Sequence, residues 1–159
     1  MTTEASFTPG EWARLERAPF VAGMAITVAD QGGAIDMMKE SMATLTATTE
    51  VARFGGRGEL VDELARSIAF EIGAGKVLAD FQPSTETTTR EMLVELRDVM
   101  RIVRAKATSE EADSFREWLL ETAARTAQAA KEGGFLGIGA KRVGEGEQEM
   151  LDALREVLE

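Results

Sequence analysis

The residues best equipped for chemistry in this chain fall into three groups. The first is the segment Lys131–Glu147, KEGGFLGIGAKRVGEGE, which sets several glycines beside Lys141 and Arg142. Glycine-rich backbone next to cations has the composition of a phosphate cradle. A Walker loop needs glycine, then lysine, then serine or threonine, all after a strand. Here Gly139 is followed by Ala140, Lys141 and Arg142, and a helical pattern precedes. The dinucleotide fingerprint also fails in spacing and context. What stays is a helix stop at Gly133–Gly134 and three large apolar side chains, Phe135, Leu136 and Ile138. Connections between helices are normally polar because water solvates them, so these three need cover. They read first as a plug for the end of a helical bundle. They read second as an interaction loop of Phe135, Leu136, Ile138, Lys141 and Arg142, offered to a partner.

The second group is an arginine row: Arg90, Arg97, Arg101 and Arg104 recur at helical spacing, with Glu91, Glu95 and Asp98 on the other side. Guanidinium pairs bidentately with carboxylates and phosphates. The row can bridge to acids of a neighbouring helix, or it can receive an acidic partner or a phosphorylated ligand. The bridging reading is the simpler one, because ion pairs on helix surfaces are common and individually weak.

The third group is carboxylates. A magnesium or calcium site needs several acids converging on one point. Asp30 to Glu40 lacks the alternating acids of an EF-hand loop. Di-iron bundles pair Glu with His at helical spacing, and the chain has no histidine. Solvated acidic faces are the plainer explanation.

Composition removes further chemistry. There is no cysteine, histidine or tyrosine, which excludes thiol and imidazole catalysis, thiolate or imidazole zinc sites and Ser-His-Asp triads. Formal net charge is −10, which argues against nucleic acid and against docking on anionic lipid. The N-terminal MTTEASFTPGEW lacks the basic and apolar regions of a signal peptide. The longest apolar run, Phe20 to Ala29, is too short to span a bilayer. A cytoplasmic protein without a cofactor is the expectation.

These groups must be positioned by helices, since no convincing period-two strand is present. Thr8-Pro9-Gly10-Glu11 reads as a capping box with a first-turn proline, opening a helix through about Arg17. Pro19 is expected to start a second, apolar helix that stops near Gly32–Gly33. A third helix, about Ala34 to Arg53, carries an apolar stripe of Ile35, Met38, Met42, Leu45 and Thr49. A fourth buries Leu60, Val61, Leu64, Ile68 and Ile72, with Phe70 suggesting cover on a second side. A fifth opens at Ser84 or Thr85 and buries Met92, Leu93, Leu96, Val99, Met100 and Val103. Thr108 or Ser109 caps a sixth through Phe115, Trp118, Leu119, Ala123 and Ala130. The last begins near Glu145 and buries Met150, Leu151, Leu154, Val157 and Leu158. Methionines on these stripes read as core filling rather than as a binding surface.

Two resemblances accompany these segments. KEGGFLGIGAKRVGEGEQEML, together with LERAPFVAGMAITVAD and MMKESMA, resembles a family of uncharacterised bacterial helical proteins. That resemblance covers most of the chain and implies a fold, not an activity. Where such proteins open the last helix with Val-Ser and a glutamate, this chain has Gly144, with Glu147 three positions on. The repeated pattern of a small-residue helix, a glycine pair and an acidic helix is similar to tellurite-resistance TerB-like domains. That likeness implies stress response and divalent-metal binding through Asp30, Asp36 and Glu40 in one copy and Glu132, Glu145 and Glu147 in the other. The chain departs from the pattern at Gln31 and Lys131, and FLGIGAKR is an insertion.

The resulting expectation is one all-α domain over 1–159, a bundle of six or seven helices with a loose tail at 1–7. The leading role is a non-enzymatic structural or interaction protein, with a protein partner or a homo-oligomer. The alternatives are a TerB-like metal binder and a carboxylate enzyme with a pocket in the bundle.

Overall fold

The computed structural model describes residues 2–29, 34–73, 89–131 and 144–159. Among these described residues six α-helices pack as one all-α bundle: α1 (Pro9–Ala29), α2 (Ala34–Phe54), α3 (Glu59–Gly73), α4 (Thr89–Lys106), α5 (Ser109–Lys131) and α6 (Glu145–Leu158). Among the described residues there is no strand.

The helix starts follow local rules. The Thr8 amide donates to the Glu11 carboxylate at 2.7 Å, and the Glu11 amide donates to the Thr8 hydroxyl at 3.3 Å. Thr108 and Glu111 repeat the box at the start of α5, at 3.0 and 3.2 Å. At α6 only half the box exists, because glycine has no side-chain acceptor: the Gly144 amide donates to Glu147 Oε2 at 2.9 Å.

Two expectations fail near the N-terminus. Residues 2–7 are not a loose tail. The Thr2 amide and hydroxyl donate to Glu111 at 3.0 and 2.6 Å, Glu4–Ser6 form a single tight turn, and Phe7 is buried beside Trp12. Nor does Pro19 begin a new helix. It lies inside α1, which runs unbroken from Pro9 to Ala29. An internal proline costs about 3 kcal/mol. That cost is outweighed here because Leu15, Ala18, Phe20, Val21, Ala22, Ala25 and Ile26, on both sides of it, are all buried.

The helices alternate in direction. Glu111 at the start of α5 meets Thr2, Glu63 in the first turns of α3 accepts from the Glu4 amide at 3.3 Å, and Lys106 at the end of α4 pairs with Glu11. One end of the bundle therefore gathers the N-termini of α1, α3 and α5. The acids in those first turns suit the positive ends of three helix dipoles. At the same end the Phe54–Gly58 turn joins α2 to α3 with Gly55, Gly56 and Gly58 at φ of 62°, 92° and 95°. Asp62 holds that turn, accepting from the Gly56 amide at 2.9 Å and the Arg57 amide at 3.1 Å.

The core is built from α1, α3, α4, α5 and α6 as their apolar spacing requires, with Leu15, Ile26, Leu64, Ile68, Leu96, Met100, Phe115, Trp118 and Leu154 fully enclosed. Helix α2 departs from expectation. Met42, assigned to its stripe, is 54% exposed, whereas Thr44, Ala47, Thr48 and Val51 are buried. The reason is close helix approach. The Thr44 and Thr126 hydroxyls share a hydrogen bond of 2.6 Å across α2 and α5, and a methyl on Gly23 of α1 would lie 2.3 Å from Thr44 Oγ1. Small residues admit helices this near; a methionine would hold them apart. Phe70 is also 73% exposed, so no second layer covers it among the described residues.

Candidate functional site

The candidate loop Phe135, Leu136, Ile138, Lys141 and Arg142 lies outside the described residues, as do Asp30 and Glu132. Asp36 and Glu40 lie on α2, in a stretch whose backbone alone is described. Glu145 is exposed in the first turn of α6, and Glu147 is buried as the capping residue. Among the described residues no group of three or more acids is arranged to hold a metal ion. None of their helices is long and apolar enough to cross a membrane.

The arginine row is described in full. Helix α4 lies between α1 and α6. Its acids face α1: Arg14 grips Glu95 with two bonds of 2.8 Å and reaches Asp98 at 3.9 Å. The forked pairing holds the Arg14 guanidinium proton more tightly than usual. Of its arginines, Arg104 reaches α6. Arg104 donates to the Leu158 carbonyl at 2.9 Å and also to that of Glu159. The row therefore divides. Arg104 is a structural clamp on the C-terminal end of α6, held by main-chain oxygens rather than by the side-chain acids expected from sequence. Arg90, Arg97 and Arg101 are exposed, and Arg101 reaches only its own helix, Asp98 at 3.5 Å. Neither Arg90 nor Arg97 makes an ion pair among the described residues. Val94, 43% exposed, stands between them on the same face.

A second feature lies where α2 meets α5, and sequence reasoning missed it. A cleft of about 190 Å³ is lined by Phe54, Arg57, Glu50, Trp118, Glu121 and Arg125 among others. The left-handed glycines of the turn deliver Arg57 there, where it pairs with Glu121. Arg125 pairs with Glu121 at 2.9 Å and with Glu50, whose hydrogen bond raises the Arg125 pKa further. The two cations and two carboxylates neutralise one another. Phe54, 73% exposed, stands at the rim beneath the Arg53 guanidinium, 5.7 Å from the ring centre. The Trp118 indole N–H is buried without an acceptor among the described residues. Glu50 lies on α2, Arg57 on the turn and the Glu121–Arg125 pair on α5, so no single local spacing announced the cleft.

Comparison of the chain with protein-family models, curated proteins and solved structures gave no match.

Proposed function

We propose that this protein is a non-catalytic interaction bundle whose α4 face receives an acidic partner. The observation that carries the reading is the exposed row of Arg90, Val94, Arg97 and Arg101 on a chain of net charge −10. Exposed guanidinium groups around an apolar centre favour carboxylate-bearing partners, with charge guiding encounter and orientation. The cleft between α2 and α5 supports the non-catalytic part of the reading. Its charged groups are engaged with one another rather than poised toward an open site.

Co-purification from native cells tests this. Wild-type protein should retain a specific partner that Arg90→Glu with Arg97→Glu loses. Arg66→Glu, a reversal of an exposed arginine on α3, should keep it. A partner set indifferent to the α4 arginines would remove the reading.

A further inference from the structure

The exposed face of α6 carries a row that mirrors that of α4. Glu145, Glu149, Asp152, Glu156 and Glu159 are all exposed, stepping by four and three residues. At 3.6 residues per turn this is one stripe, about 21 Å long. The two stripes lie on neighbouring helices that end together, since Arg104 meets the carbonyls of Leu158 and Glu159.

That clamp fixes their relative height. Arg104 and Glu159 are 55 positions apart in sequence. Both helices rise by about 1.5 Å per residue, so the same offset holds along their length. With Leu158 held as well, at 54 positions, the clamp brings Arg101 to within one residue's rise of Glu156, Arg97 of Asp152, and Arg90 of Glu145. Every arginine of the row thus stands level with an acid. Within the chain no ion pair joins Arg90, Arg97 or Arg101 to α6 among the described residues.

We infer that the α4–α6 face is self-complementary and pairs with a second copy of this chain. The inference rests on the reading of α4 as an interaction face and names its occupant. A two-fold axis parallel to the helices places each α4 opposite the α6 of the other copy. It preserves height, so the level pairs become facing pairs. An axis across the helices would set arginine against arginine and acid against acid. The symmetry is therefore specified together with the surface.

Size limits the strength. Two helices side by side offer about 20 Å by 20 Å, or roughly 400 Å² per copy. Stable complexes bury about 1,200 Å² or more in total, so the dimer is weak. Two copies of charge −10 also repel at long range. That repulsion is screened beyond about 10 Å at 0.1 M salt, whereas directly facing pairs are screened less.

Sedimentation equilibrium of the purified full chain at 0.1 M and 1 M salt tests the inference. Wild type should associate reversibly to dimer at 0.1 M and dissociate at 1 M. Arg90→Glu with Arg97→Glu, and separately Glu145→Arg with Asp152→Arg, should each weaken association about tenfold or more. An equimolar mixture of the two variants should recover it, since one half of the mixed face then carries the native pairs and the other half the same pairs with their charges exchanged. Circular dichroism checks that each variant is folded. A monomer at 0.1 M, or association untouched by either reversal, overturns the inference. If the chain is monomeric while co-purification still depends on Arg90 and Arg97, only the identity of the partner falls.

Discussion

Gly23→Ala probes a close contact between α1 and α2. A methyl at that position would lie 2.3 Å from Thr44 Oγ1 and 2.6 Å from Thr44 Cγ2. Thr44 cannot simply swing aside. A β-branched side chain in a helix has few rotamers, this one is 5% exposed, and its hydroxyl is bonded to Thr126 at 2.6 Å. Either α1 and α2 separate, or the hydroxyl pair breaks. Overpacking costs about 1–3 kcal/mol, and a lost hydrogen bond about 1 kcal/mol more. Against this, alanine gains about 1 kcal/mol over glycine in helix propensity. The net expectation is a loss of about 1–3 kcal/mol, or roughly 2–12 °C in Tm for a domain of this size. Urea and thermal unfolding followed by circular dichroism measure it. Adding Thr44→Ala removes both clashing atoms and should return much of the loss, a coupling visible in the double-mutant cycle. If Gly23→Ala alone is neutral or stabilising, the close approach does not exist and the account of α2 packing is wrong.

Other outcomes follow from the same geometry. Gly146→Ala would set a methyl 2.7 Å from the Ala29 carbonyl oxygen, which is backbone and cannot rotate away, so unfolding should detect a loss of about 1–3 kcal/mol. Asp62→Ala strips the acceptor from two amides of a turn built on left-handed glycines and should cost about 1–3 kcal/mol by urea titration. Acid stability should depend on two carboxylates. Lys106 and Thr8 pull Glu11 down to about 2; burial pushes Glu111 up, but hydrogen bonds from Thr2 and Thr108 outweigh it and bring it to about 2 as well. Depressed acids stabilise the fold above the ordinary value of 4.5, and the contribution fades as pH falls toward 2. Glu11→Gln with Glu111→Gln should therefore flatten the fall of Tm across that window. Glu16 has the opposite sign, because burial raises its pKa and the hydrogen bond from Ser67 only partly offsets that. Glu16→Gln should leave the protein as stable or more stable at neutral pH, and a clear loss would contradict the burial argument.

What was legible in the sequence is what is local. Thr8 and Glu11 form the box their three-residue spacing implied, and Thr108, one of the two caps read for its helix, forms the same box with Glu111. The stripe of Met92, Leu96, Val99, Met100 and Val103 is buried as its period required. The failures are non-local. Pro19 obeys tertiary burial over its own preference, and α2 hides threonines and an alanine while exposing Met42, because helix proximity decided rather than hydrophobicity. The arginine row was visible as a row. Its division into a clamp at Arg104 and exposed positions above it depends on where α6 ends. The level acids of α6 depend on the same relation, which no single stretch of sequence contains.

The threonines between α2 and α5 have one further consequence. The hydroxyls of Thr48, Thr122 and Thr126 each donate to the carbonyl four residues back in their own helix, at 2.8 to 2.9 Å. Parting the two helices would leave those bonds intact, and only the Thr44–Thr126 bond crosses the seam among the hydroxyl contacts described. Among the side chains described from Ser41 to Phe54, the buried ones are Thr44, Ala47, Thr48 and Val51, so their parting would expose small side chains. The bundle thus has a hinge side, along which α2 can part from α5 at a free energy below global unfolding while α3 stays in place through its enclosed Leu64 and Ile68. Hydrogen exchange should show α2 amides opening before those of α4 and α5.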